Sequence, residues 1–115
     1  MTRILVVEDE DACRYATKKA LADAGYDVVA AAGYLRALEL ICADDPIDLL
    51  LTDIVHPNGV NGFALARMAR TRRANIKIMY MTAYDMPQDE ALGKVLRKPI
   101  MGDALVSEVR EALAA

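Results

Sequence analysis

Arg3-Ile4-Leu5-Val6-Val7-Glu8-Asp9-Glu10-Asp11 opens the chain with a short, continuously apolar run that breaks into four successive acids. A run without polar alternation is what a strand buried on both faces requires, and such strands belong to parallel sheets covered by helices. Leu49-Leu50-Leu51-Thr52 repeats the pattern and ends at Asp53, and Lys98-Pro99 follows a third, shorter run. Parallel strands of one sheet bring their carboxyl ends together, so Glu8, Asp9, Asp53 and Lys98 are expected in one crevice, where open α/β sheets do their chemistry. Two unit charges about 4 Å apart interact by roughly 4 kcal/mol at an effective dielectric near 20. Three carboxylates beside one ammonium therefore suggest that a divalent cation or a transferred phosphoryl group belongs to the working state.

Outward from these runs, apolar segments alternate with helix-length amphipathic stretches. Strands are expected at 3–7, 27–31, 48–52, 76–81 and 94–96. Helices are expected from Asp11 to Ala24, where alanine recurs every fourth position and Gly25 supplies a stop, and from Leu35 to Ala43. Asn61 is placed to cap a third helix through Thr71 that buries Phe63, Leu65, Ala66 and Ala69, and Met101 to Ala114 reads as the last helix, with Leu105, Val109 and Ala112 or Leu113 inward. Ala83 to Gly93 holds Pro87 and is too short for a full helix with two turns, so a loop is expected there. His56-Pro57-Asn58-Gly59 is a turn-rich loop. The whole, 1–115, reads as one α/β domain with a doubly wound, five-stranded parallel sheet.

Composition narrows the function classes. A net charge of −3 argues against a free-standing nucleic-acid binder. Arg67, Arg70, Arg72 and Arg73 read as a solvated helix end, favourable near the C-terminal dipole, rather than a phosphate-binding patch. Cys13 and Cys42 lack the spacing of a metal or redox motif and read as free thiols. No stretch has the length of a membrane span or the pattern of a signal peptide, so a cytoplasmic protein is expected, with no direct nucleic-acid or membrane partner.

At the strand ends, Asp53 has the chemistry of a nucleophile toward phosphorus, giving an acyl phosphate. Such a step needs a hard cation, and Mg²⁺ suits a site of one or two carboxylates, a carbonyl and waters, with Glu8 and Asp9 as the evident ligands. Lys98 can pair with a phosphoryl oxygen as a point charge, and the Thr82 hydroxyl can donate to another.

As a set, Ile4-Leu5-Val6-Val7-Glu8-Asp9-Glu10, Leu51-Thr52-Asp53-Ile54-Val55-His56-Pro57, Met81-Thr82-Ala83 and Leu96-Arg97-Lys98-Pro99 resemble the receiver domain of two-component response regulators. The resemblance spans essentially the whole chain. It implies a flavodoxin-like sheet in the order 2-1-3-4-5. It further implies that Asp53 accepts a phosphoryl group from a histidine kinase or histidine phosphotransferase. Mg²⁺ would be held by Asp9, Asp53 and the backbone carbonyl of Val55, with Glu8 acting mainly through water. Thr82 and Lys98 would hold the phosphoryl oxygens and pass the change to a downstream protein target.

The chain also departs from the family pattern. Val95 stands where an aromatic usually precedes the lysine by three positions, which puts the usual Thr–aromatic switch in question. Thr82 and Lys98 are closer in sequence than usual, so the helix ordinarily found between the fourth and fifth strands is expected to be vestigial or missing. His56 replaces a common Met or Leu, and its loop carries one extra residue; an exposed loop residue is the expected reading, not a ligand. Val55 and Tyr84, which flank the path of an attacking water, cannot orient one, so a long-lived phospho-Asp53 is expected. Tyr34 and Leu35 are expected to pack into the core. With no output module after the last helix, a stand-alone regulator, a phosphate shuttle or a receiver cut from a larger protein is expected, and Met1 favours a natural start. The alternatives are a phosphorylation-independent receiver-like module and an aspartyl-phosphate phosphohydrolase; Val55, two positions beyond Asp53, offers the latter no acid or base.

Overall fold

The computed structural model describes residues 1–55, 60–100 and 102–115. The expectations for His56-Pro57-Asn58-Gly59 and for Met101 therefore lie outside the described residues. The elements run β1 (Arg3–Val7), α1 (Asp11–Asp23), β2 (Asp27–Ala31), α2 (Tyr34–Cys42), β3 (Leu49–Asp53), α3 (Gly62–Arg72), β4 (Lys77–Thr82), β5 (Val95–Arg97) and α4 (Gly102–Ala114). All pairings are parallel and the strand order is β2-β1-β3-β4-β5, as the sequence led us to expect.

The strict period of two along each strand divides the core in two. Leu5, Val7, Leu50, Ile78 and Tyr80 face α2 and α3, where Ala37, Ile41, Phe63, Leu65, Ala66 and Ala69 complete one layer. Ile4, Val6, Leu49, Leu51, Met79 and Met81 face the other way, toward Leu21 of α1 and Leu105 and Val109 of α4. Each fully buried Leu or Ile contributes about 1.5–3 kcal/mol relative to exposure, so the two layers fix the register of the central strands.

The helix ends show why each helix stops where it does. Glu10 caps α1 by accepting from the Cys13 amide, and Gly25, at φ +99°, ends the turn that follows Ala24. Asn61 caps α3 through the Ala64 amide at 2.9 Å. The C-terminus of α2 has no glycine, and it is capped from outside. Arg73 donates to the carbonyls of Ile41 at 3.0 Å and Ala43 at 2.6 Å, and Arg72 donates to that of Cys42 at 2.9 Å. The arginines do sit at the helix end, Arg72 exposed and Arg73 half-buried, and these two also tie α3 to α2.

One further expectation is corrected. Leu35 is 67% exposed, because α2 buries Ala37 and Ile41 and turns position 35 outward. In α1 the buried residues are Thr17 and Leu21, while Ala12 and Ala16 are exposed. Between β4 and β5 there is no helix among the described residues. The connection lies close on the sheet instead: the Leu92 amide donates to the hydroxyl of the buried Tyr80 at 3.1 Å, and Tyr80 itself stacks edge-on against Phe63. A Cβ at Gly93 would fall 1.8 Å from the Ile78 carbonyl oxygen, so only glycine lets the connection approach β4 this closely.

Candidate functional site

β1, β3 and β4 end at the same edge because their registers align Val7 with Thr52 and Asp53 with Met81. Glu8 follows β1, Asp53 closes β3, Thr82 closes β4, and Lys98 follows β5. They line one open cavity of about 290 Å³ together with Asp9, Val55 and Tyr84. All the residues singled out from the sequence are thus in one place. Glu8 and Asp53 are buried, Asp9 is exposed on the rim, and Thr82 is buried behind Asp53. Val55 and Tyr84, which also line it, are 50% and 61% exposed.

Lys98 lies between the two buried acids, with Nζ 2.5 Å from Glu8 Oε1 and 2.7 Å from Asp53 Oδ1. Burial pushes the Asp53 carboxyl up, and its hydrogen bond with Glu8 adds to this, so that it reaches about 8 despite the ammonium beside it. Burial pushes Glu8 up as well, but hydrogen bonds from Asp53, Cys13 and Lys98 outweigh it and hold Glu8 well below the usual carboxylate range. Burial alone would lower Lys98, yet its two carboxylate partners raise it. One ammonium cannot balance two buried carboxylates, and the excess charge falls on Asp53, whose ionised form is the disfavoured one.

Glu8, Asp9 and Asp53 can each offer an oxygen, and those oxygens lie within 4.8 Å of one another. An all-oxygen, anionic donor set with one exposed and adjustable member suits a small hard dication. The buried excess of negative charge is what such an ion would neutralise. The residues present fit Mg²⁺.

Sequence reasoning missed several supporting residues. Arg14 donates to the backbone carbonyl of Glu8 at 3.1 Å and pairs with Asp11 at 2.6 Å, so its guanidinium pins the turn that carries Glu8 and Asp9. Its position three residues after Asp11 on a helix was the available signal. Cys13 meets Glu8; burial and the neighbouring carboxylate push its thiol up to about 11, so it remains a protonated donor. Gly62 lies against the backbone of Asp53 and Ile54, with its amide donating to the Ile54 carbonyl at 2.7 Å. Thr82 Oγ1 accepts from the Tyr84 amide at 3.1 Å and donates to Met86 Sδ at 3.6 Å. Nothing in the sequence pointed to Met86.

Residues 4–110 match the response regulator receiver domain family. The chain is 38% identical over 124 residues to the response regulator receiver protein CpdR of Brucella abortus, covering 100% of this chain and 99% of that protein. It is 33% identical over 118 residues to the sensor kinase CckA of the same organism, covering 96% of this chain but only 12% of the kinase. Among solved structures, the response regulator TrrA of Thermotoga maritima, in complex with Mg²⁺-BeF, is similar with a TM-score of 0.81 at 30% identity, covering 97% of this chain and 99% of that one.

Proposed function

The chain belongs to the response regulator receiver domain family of two-component signalling, and from that premise we propose that it is a single-domain switch set by phosphorylation of Asp53. Receiver domains act as signalling switches rather than as enzymes with a substrate of their own. The observation that carries the reading is the convergence of Asp53, Lys98, Thr82 and the acids Glu8 and Asp9 on one open cavity.

In the proposed reaction a carboxylate oxygen of Asp53 attacks the phosphorus of a phosphohistidine on a histidine kinase or phosphotransferase. The new O–P bond replaces the N–P bond, and the imidazole nitrogen keeps the electron pair and takes a proton. The attacking form of Asp53 is the carboxylate, which burial disfavours and Lys98 favours. Asp9, Asp53 and the Val55 carbonyl would hold Mg²⁺, with Glu8 beside them; when bound, the ion supplies charge neutralisation for the incoming phosphoryl oxygens. The Lys98 ammonium is poised to exchange a carboxylate partner for a phosphoryl oxygen, and the Thr82 hydroxyl to donate to a second. A downstream protein would read the result. The Mg²⁺-BeF complex of TrrA supports the assignment by similarity. No described helix is long and apolar enough to cross a membrane.

Intact-protein mass after treatment with acetyl phosphate and Mg²⁺ tests the reading. One phosphoryl adduct is expected, absent without Mg²⁺ and absent in Asp53→Asn. A wild-type protein that stays folded and takes no adduct would refute it and favour a phosphorylation-independent binding module.

A further inference from the structure

We propose that Met86 reports the state of the site, taking the place of the missing aromatic at position 95; this rests on Asp53 being the phosphoacceptor. The Thr82 hydroxyl has a single proton, and it is directed at Met86 Sδ, 3.6 Å away. A thioether sulfur is a weak acceptor, whereas an anionic phosphoryl oxygen makes a charge-assisted bond of roughly twice the usual strength. Thr82 lines the cavity that holds Asp53 and Lys98, and also a second cavity of about 160 Å³ that Met86 and Val95 line. A phosphoryl group on Asp53 would therefore draw the proton from the second cavity toward the first. Met86 loses its partner, and an unbranched side chain beside an unfilled space is free to repack.

The sheet register shows why the ring at 95 is dispensable. Val95 pairs directly with Tyr80, and both pack in the same layer of the core, so an aromatic ring is present one strand over. That ring is fully buried and its hydroxyl is engaged by the Leu92 amide, so it serves as an anchor rather than a moving part. Arg97 fixes the other end of the connection, pairing with Asp85 and donating to the Ala83 carbonyl at 3.1 Å. Between these ties, Met86 is the residue joined to Thr82 by a contact the phosphoryl group would remove.

The test follows the methionine methyl resonances of ¹³C-labelled protein, with Met86 assigned through Met86→Leu, during treatment with acetyl phosphate and Mg²⁺. Intact mass is read on the same samples. The expected result is a Met86 methyl shift that tracks the adduct in the wild type and is lost in Thr82→Val, with Thr82→Ala as the substitute if valine does not fold. Met86→Leu should still take the adduct. A Met86 methyl that stays in place in an adduct-bearing wild type, or that moves equally without the Thr82 hydroxyl, overturns the proposal. Absence of any adduct in the wild type instead overturns the Asp53 reading, and Met86 with it.

Discussion

Gly62→Ala places a methyl group on the backbone that carries Asp53. The added carbon would lie 2.2 Å from the Asp53 carbonyl oxygen, 2.9 Å from Ile54 Cα and 3.0 Å from the Asp53 carbonyl carbon. Ordinary contact needs about 3.5 Å, so α3 and the end of β3 must part by roughly 1 Å. Neither neighbour is a flexible side chain tip. Overpacking costs about 1–3 kcal/mol, and a backbone collision belongs at the upper end. Alanine's better helix propensity returns at most about 1 kcal/mol, leaving a net loss near 2 kcal/mol. For a domain of this size that is a fall in Tm of roughly 10 °C. The expected loss of activity is larger, because a 1 Å misplacement of a reacting group can cost about a hundredfold in rate. Gly93→Ala is the control: its methyl would strike the Ile78 carbonyl oxygen at 1.8 Å, an equally severe collision away from the site. Thermal unfolding by circular dichroism, with adduct formation measured well below both midpoints, separates the two effects. Both variants should lose stability, and only Gly62→Ala should slow phosphorylation of the folded protein. Equal phosphorylation rates in the two variants, or a wild-type Tm for Gly62→Ala, would refute the reasoning.

Other outcomes follow from the same geometry. Arg73→Ala should cost about 2 kcal/mol in urea unfolding, since it strips charged donors from the α2 carbonyls, and Arg72→Ala, with one such bond, should cost less. Phospho-Asp53 should decay slowly, because Val55 and Tyr84 leave a water unoriented; Val55→Asn should shorten its lifetime by roughly tenfold if one new hydrogen bond of about 1.4 kcal/mol forms, as read by mass against time. Mg²⁺ binding should release a proton near pH 7, since the Asp53 carboxyl is raised to about 8 in the metal-free protein. The release should fade above that pH, and calorimetry in buffers of different ionisation enthalpy measures it. Gly33→Ser should stabilise α2 by a few tenths of a kcal/mol, because the cap position there has no side-chain acceptor and open space around it.

Much of this was legible in the chain. Ile4 to Val7 and Leu49 to Leu51 declared buried strands because both faces must be apolar, and the charged residues after them had to meet once the strands were parallel. Boundaries moved by one residue where the ladder, not hydropathy, decides: Asp53 is inside β3 because it pairs with Met81. What stayed hidden depends on distant chain segments. That Arg72 and Arg73 also bond the last carbonyls of α2 shows only once the two helices are seen side by side. Gly62 looks like an ordinary helix start until Asp53 is against it. Met86 and Tyr80 carry no sequence signature at all, since their contacts arise from how the β4–β5 connection folds back on the sheet.

The two ends of α3 give the molecule an uneven compliance. One end abuts the acceptor strand without a spare ångström, and the other is bolted through Arg72 and Arg73 to the neighbouring helix. A disturbance at Asp53 meets a stiff flank there. Beyond β4, by contrast, β5 is three residues long and the connection before it is held by separate ties at Leu92 and Arg97. A phosphoryl group added at Asp53, as proposed, would then be accommodated by movement toward β5 rather than into α3.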